Sequence, residues 1–210
     1  MFPPLYAILD PSLITEPILT VAEKLADGGV KLVQLRDKRA TPAALCATAR
    51  ELSGFLSPRG VRFILNDRPD IAAIVGVSGV HVGQDDIPVE DARKICPAPR
   101  WVGVSTHNLK QLREADLTSA DYIAVGPVFP TGTKANPDPV VGIEFLRQAR
   151  QVTKKPLVAI GGITIETAAD VFRAGADSVA VIRDLLLAGD IASRAREYQL
   201  IADQIFLSRG

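Results

Sequence analysis

The chain has 210 residues, 47% of them apolar, with 24 Lys and Arg set against 24 Asp and Glu. That is enough apolar material for one sizeable core, and the balanced charge leaves no overall field to attract nucleic acid or an anionic membrane. No window approaches the roughly 18 apolar residues of a membrane span, and Met1-Phe2-Pro3-Pro4-Leu5-Tyr6 lacks the basic-then-apolar order of a secretion signal, so the reading is a cytoplasmic protein.

Along the chain, short β-branched runs alternate with amphipathic segments. The runs are Leu5–Asp10, Val30–Asp37, Arg62–Asp67, Gly79–Gly83, Trp101–Thr106, Tyr122–Phe129, Pro156–Ile163 and Ser178–Arg183. Eight runs over this length is about one per 26 residues, the size of a βα unit. Between them, Ile18, Val21, Ala22 and Leu25 keep an i, i+3, i+4, i+7 stripe, as do Tyr198, Ile201, Ala202 and Ile205 near the end. Thr41-Pro42 reads as a helix N-cap followed by proline at the first helical position, Asn108 with Gln111 as a capping box, and Gly28 and Gly175 as helix stops. The regular count predicts an α/β fold, a single (β/α)₈ barrel over residues 1–210, rather than a doubly wound open sheet. Cys46 and Cys96 stand far apart with no metal-ligand spacing, which predicts reduced structural thiols.

Barrels of this kind place their chemistry at the C-terminal strand ends. Gln34, Arg36 and Lys38 alternate along the second run and so share a face. As an isolated pair, Arg36 and Lys38 would read as solvated strand-end charges. With Lys134 in the Gly126–Lys134 loop they read as an anion clamp, to which Ser105, Thr131 and Thr133 add hydroxyl donors. Asn66 and Asp67 end the third run, and Gln84, Asp85 and Asp86 follow the fourth. Asp67 and Asp86 have two compatible readings: helix N-caps, since Pro69 and Pro88 each follow two residues later, or hard-oxygen ligands for Mg²⁺. Gly161-Gly162 and then Ile182-Arg183 sit where many barrels bind phosphate, although a tight turn alone also explains the glycines. His81 and His107 are the two histidines, both read as structural imidazoles, with His107 in a site loop. A set rich in cations, amides and hydroxyls, with no evident Ser/His or Cys/His nucleophile, points to charge stabilisation and alignment of small anionic substrates.

Taken in order, Gln34-Leu-Arg36-Asp-Lys38, Asn66-Asp67, Gly79-Val-His-Val-Gly-Gln-Asp-Asp86, Gly103-Val-Ser105, Gly126-Pro-Val-Phe-Pro-Thr-Gly-Thr-Lys134 and Ile160-Gly-Gly-Ile-Thr164 resemble the thiamine-phosphate synthase family over nearly the whole chain. The resemblance implies a transferase that joins 4-amino-2-methyl-5-hydroxymethylpyrimidine diphosphate to 4-methyl-5-(2-phosphoethyl)-thiazole or its carboxylated form, releasing diphosphate with Mg²⁺ as cofactor. It implies that Gln34 contacts the aminopyrimidine, that Arg36, Lys38, Asn66 and Lys134 contact the diphosphate, and that Asp67 and Asp86 hold Mg²⁺. Ser105 would lie near the reacting groups, while Thr131, Thr133, Gly162, Ile182 and Arg183 would receive the thiazole phosphate. The family usually has Ser where this chain has Arg183. Two alternatives accompany this reading: a related thiazole tautomerase with a histidine acid/base, for which His107 is available, and a non-catalytic sensor of thiamine precursors. Its partners are small molecules, and a homo-oligomer is compatible with it.

Overall fold

The structure, a computed structural model, describes residues 2–132 and 139–208. Eight parallel strands close a barrel in sequence order: β1 Leu5–Leu9, β2 Leu32–Leu35, β3 Arg62–Asn66, β4 Gly79–Val82, β5 Trp101–Thr106, β6 Tyr122–Val125, β7 Leu157–Ile160 and β8 Ser178–Val181. Tyr6 closes the ring by pairing with Leu32 on one side and Ala180 on the other. The helices are α1 Ile18–Asp27, α2 Pro42–Leu56, α3 Pro69–Val75, α4 Val89–Ile95, α5 Leu109–Asp116, α6 Gly142–Val152, α7 Ile165–Arg173, α8 Arg183–Leu186 and α9 Ile191–Leu207. Among the described residues no helix is long and apolar enough to cross a membrane. The (β/α)₈ expectation is therefore met.

Strand alternation divides the apolar residues into two sets. One set packs outward beneath the helices, where Val21, Ala22 and Leu25 of α1 and Tyr198, Ala202 and Ile205 of α9 supply the expected stripes. The other points into the barrel: Tyr6, Ile8, Leu32, Ile64, Tyr122, Ala124, Val158 and Ala180. At its lower end Phe2 stacks on Trp101 with ring centroids 5.1 Å apart, and both pack against Tyr122. Gly103 makes this possible, because a Cβ there would lie 2.0 Å from Tyr122 Cζ.

Most strands stop earlier than the apolar runs suggest. Arg36 N–H still bonds Leu9 O at 2.8 Å and Asp67 N–H bonds His81 O at 2.8 Å, but beyond these points the chain turns over the rim. Asp37, Gly83, Phe129 and Ile163 consequently belong to loops. Thr41 caps α2 as expected, with Pro42 at the first helical position. Gly28 takes a right-handed conformation and passes the left-handed position to Gly29, whereas Gly175 has the expected positive φ of 113°. The box at Asn108 is displaced: its side chain caps Gln111 N–H, while Gln111 Oε1 accepts from His107 N–H one residue before the cap. Cys46 and Cys96 are free, and Cys96 is buried.

Candidate active site

A cavity of about 650 Å³ opens at the C-terminal end of the strands, a size suited to a drug-sized ligand. Gln34, Arg36, Lys38, Asn66, Asp67, Asp86, Ser105, Thr131, Gly162, Ile182 and Arg183 all line it. Thr133 and Lys134 lie outside the described residues.

The floor is a continuous chain of hydrogen bonds among barrel-facing side chains. Gln34, only 3% exposed, donates from Nε2 to the Tyr6 hydroxyl at 2.6 Å. That hydroxyl meets the Tyr122 hydroxyl at 2.8 Å, which meets His81 Nδ1 at 3.0 Å, and His81 Nε2 lies 2.9 Å from Ser105 Oγ. Burial pushes both tyrosine pKa values well up, so the phenols stay protonated. The Ser105–His81 contact is a Ser/His pair that was not evident in the sequence. The group behind this histidine is nonetheless a neutral phenol, Tyr122, where a triad has a carboxylate.

The wall at β1, β2 and β3 carries the charges. Arg36 Nη1 donates to Asp10 Oδ2 at 2.8 Å, and Asp10 Oδ1 accepts from Ser12 N–H and Oγ at 3.1 and 2.6 Å. Asp10, at 7% exposure, thus aims the guanidinium. Lys38 pairs with Asp67. Asp67 adopts φ of 60°, and it is the sole non-glycine residue with positive φ among the described residues. Aspartate tolerates that region at a cost of roughly 1 kcal/mol, and such strain gathers at working sites. Asp86 Oδ2 accepts from Gly83 N–H at 2.7 Å. Burial raises the Asp86 pKa, and the neighbouring Asp67 carboxylate raises it too, against the lowering pull of Gly83 N–H and Lys38. Neither aspartate caps a helix, which corrects that reading: Arg68 and Pro88 occupy the N-cap positions of α3 and α4, without a side-chain bond.

Two facing carboxylates that repel one another are a reasonable donor pair for a hard divalent cation. Among the described residues no three His, Cys, Asp or Glu side chains gather as a metal site. Asp67 and Asp86 would therefore supply two oxygens to such a cation, with the remaining positions left to water and ligand oxygens.

On the opposite wall, Gly161 and Gly162 have φ of 98° and 63°. A Cβ on Gly162 would stand 2.4 Å from Pro130 O, so the loops after β6 and β7 pack backbone to backbone. Phe129 N–H bonds Gly161 O at 3.0 Å across them. Arg183 is exposed at the cavity rim. The alternative that it pairs with Asp184 or Asp190 is not met, since Arg194 and Tyr198 donate to Asp184 at 2.8 and 2.7 Å, while Ser193 donates to Asp190. His107 Nδ1 lies 2.5 Å from Gly126 O. A carbonyl only accepts, so Nδ1 carries the proton.

Sequence reasoning missed Asp10 and the two tyrosines. Asp10 ends the first run and could have been found by asking what the one unassigned strand end contributes. Tyr6 and Tyr122 carried no signal, because an aromatic in an apolar run reads as core.

A family model described as thiamine monophosphate synthase matches residues 5–185. The chain is 50% identical over 203 residues to a thiamine-phosphate synthase of Koribacter versatilis, covering 93% of this chain and 94% of the relative. It is 43% identical over 193 residues to one of Methanospirillum hungatei, covering 89% and 94%. The solved thiamine phosphate pyrophosphorylase of Pyrococcus furiosus superposes with a TM-score of 0.87 at 32% identity, covering 96% of both chains.

Proposed function

The chain belongs to the thiamine monophosphate synthase family, and we propose that it joins 4-amino-2-methyl-5-hydroxymethylpyrimidine diphosphate to thiazole phosphate, forming thiamine phosphate and diphosphate. The observation that carries this reading is the arrangement of the cavity. A buried amide, Gln34, faces it from the floor, Arg36, Lys38 and the Asp67–Asp86 pair occupy one wall, and the glycine loop with Arg183 occupies the other. One wall suits a diphosphate with its cation, the floor suits a heteroaromatic edge, and the far wall suits a second, smaller anion.

The reaction that fits these side chains is dissociative. A thiazole nitrogen already owns a lone pair, so its attack on the pyrimidine methylene needs no general base. If the carbon–oxygen bond to diphosphate breaks first, the electron pair leaves with diphosphate and the electron-rich ring carries the positive charge. Arg36, held in place by Asp10, and Lys38, with Asn66 beside them, would bind the departing anion. Gln34 would hold the ring and Ser105 would donate near the reacting groups. Mg²⁺ on Asp67 and Asp86, when bound, would neutralise developing charge on diphosphate. Lys134 and Thr133 join the diphosphate and thiazole phosphate contacts respectively on sequence grounds alone, while Thr131, Gly162, Ile182 and Arg183 face the position proposed for the thiazole phosphate. The tautomerase alternative has no need of the paired aspartates beside Lys38.

The test is to incubate the protein with both substrates and Mg²⁺ and weigh the products. Thiamine phosphate and diphosphate in equal amounts are expected. With a trifluoromethyl group in place of the pyrimidine methyl, single-turnover rates should fall strongly, because electron withdrawal destabilises the cation. An unchanged or faster rate overturns the ionising step.

A further inference from the structure

The floor of the cavity joins Gln34, assigned to the pyrimidine, and Ser105, assigned to the reacting groups, through Tyr6, Tyr122 and His81, of which Tyr122 alone does not line the cavity. Every link of the Gln34–Tyr6–Tyr122–His81–Ser105 chain is 2.6 to 3.0 Å long. Its links are also constrained in direction. A phenol has a single proton, so once Gln34 Nε2–H donates to the Tyr6 oxygen, the Tyr6 proton goes to Tyr122 and the Tyr122 proton to His81 Nδ1. A neutral His81 then holds its proton on Nε2 and donates to Ser105 Oγ, leaving the serine hydroxyl proton free to point into the cavity. The reverse chain is equally self-consistent, but it requires the Gln34 amide to turn over, with Oε1 on Tyr6.

We propose that Tyr6, Tyr122 and His81 are positioning residues that fix the orientation of the Gln34 amide, and thereby make the site read an aminopyrimidine and reject its oxo counterpart. The proposal rests on the functional reading above. With Nε2 bound to Tyr6, Gln34 shows the cavity its Oε1 and the second Nε2 proton, an acceptor beside a donor. Among the described residues Ser178 Oγ is the lone enclosed side-chain polar atom without a partner, so Gln34 Oε1 is not sealed in the protein but opens on the cavity. A 4-aminopyrimidine offers the complement, an amino N–H beside a ring nitrogen lone pair. A 4-oxopyrimidine offers a carbonyl beside a ring N–H, which matches only the turned amide. With an oxo substrate the turned Nε2–H would meet the carbonyl, but turning Gln34 alone would set its Oε1 against a Tyr6 oxygen whose proton is already committed, so all the links must reverse together. Deep burial keeps both phenols protonated, so each supplies the single proton the chain requires.

Two measurements test this. In the unliganded protein, ¹⁵N NMR should show opposite tautomers for the two histidines: His81 protonated on Nε2, and His107, tied to Gly126 O, protonated on Nδ1. His81 protonated on Nδ1 overturns the proposed direction. The second measurement compares binding and kcat/KM for the aminopyrimidine diphosphate and its 4-oxo analogue in wild type, Tyr122→Phe and Tyr6→Phe, with inorganic diphosphate as control. Each variant should lower the amino preference about 10-fold while binding diphosphate as wild type does. A preference kept by both folded variants overturns the relay and leaves the functional reading intact. A wild type that binds neither pyrimidine overturns both.

Discussion

At the N-terminal end of the barrel, Arg93 of α4 donates to Arg100 O, Cys96 O and Ser119 O at 2.6, 3.3 and 2.9 Å and pairs with Asp121, whose Oδ2 also accepts from Val102 N–H at 2.6 Å. The device is repeated at α6. There Arg150 bonds Asp177 at 2.8 Å and Lys155 O at 3.1 Å, and Asp177 Oδ2 accepts from Leu157 N–H at 2.7 Å. Each aspartate directly precedes a strand, β6 or β8, so each clamp ties a helix end to two strand starts. At the C-terminal end, among the described residues the Arg36 guanidinium makes a single bond, to Asp10 at 2.8 Å, and otherwise faces the cavity. Asp67 sits in a left-handed conformation beside a second carboxylate. The same residue types thus saturate one another at one end and are held short of saturation at the other. The first arrangement stabilises, and the second leaves donors and charges for a ligand, which is the division expected of this fold.

The strongest challenge to that division is Asp86→Asn. The amide oxygen can still accept from Gly83 N–H, while the repulsion with Asp67 disappears. Turnover should fall by roughly 10²-fold or more, since metal-assisted charge stabilisation is worth several kcal/mol. The melting temperature should meanwhile stay level or rise, the trade expected where a site is kept under electrostatic strain. Steady-state assays with and without excess chelator, beside a thermal scan, check both halves. Full activity in a folded variant, or in chelator, breaks the assignment of Asp86 to the metal.

Asp121→Ala should do the opposite. It leaves the Arg93 guanidinium and Val102 N–H without their shared acceptor, at a cost of about 2 kcal/mol of stability. Its kcat/KM per folded molecule should match wild type, because no cavity residue bonds to this clamp. Urea titration and kinetics on the same preparation separate the two. A variant that keeps its urea midpoint but loses kcat/KM would erase the contrast between the ends.

This contrast also explains what was legible beforehand. The barrel was readable because near-continuous apolar runs, buried on both faces as Leu5–Leu9 is, alternate with helical stripes of period 3.6, and both are local properties. The residues of the upper rim were readable because Gln34, Arg36 and Lys38, or Asp67 and Asp86, interrupt those runs with groups that a strand end does not need. The floor was not readable. Tyr6, Tyr122 and His81 lie 116 and 41 positions from their partners, and their polar atoms are invisible in an apolar pattern until closure of the barrel brings them together. The capping role offered for Asp67 and Asp86 failed for a related reason: proline two residues on fixes where a helix begins, but not where the preceding side chain points. The clamps at the lower end went unnoticed because Arg93 and Arg150, on helix faces, look like ordinary solvated charges.

The smallest effect belongs to Arg183, an upper-rim cation whose neighbouring acids are engaged elsewhere, Asp184 by Arg194 and Tyr198 and Asp190 by Ser193. A guanidinium fork on a phosphate contributes about 1.5–3 kcal/mol when shielded, and exposure at the rim lowers that toward 1.4 kcal/mol, or roughly ten-fold. Arg183→Ser should therefore raise KM for thiazole phosphate about ten-fold with kcat little changed, since the contact is equally present before and during the reaction. It should leave KM for the pyrimidine diphosphate unchanged, because that substrate is assigned to the opposite wall. The unphosphorylated thiazole alcohol supplies the decisive comparison. If its KM shifts as much as that of the phosphate, or if neither shifts, the Arg183 side chain does not read the phosphate, and at this position the upper rim works through its backbone alone.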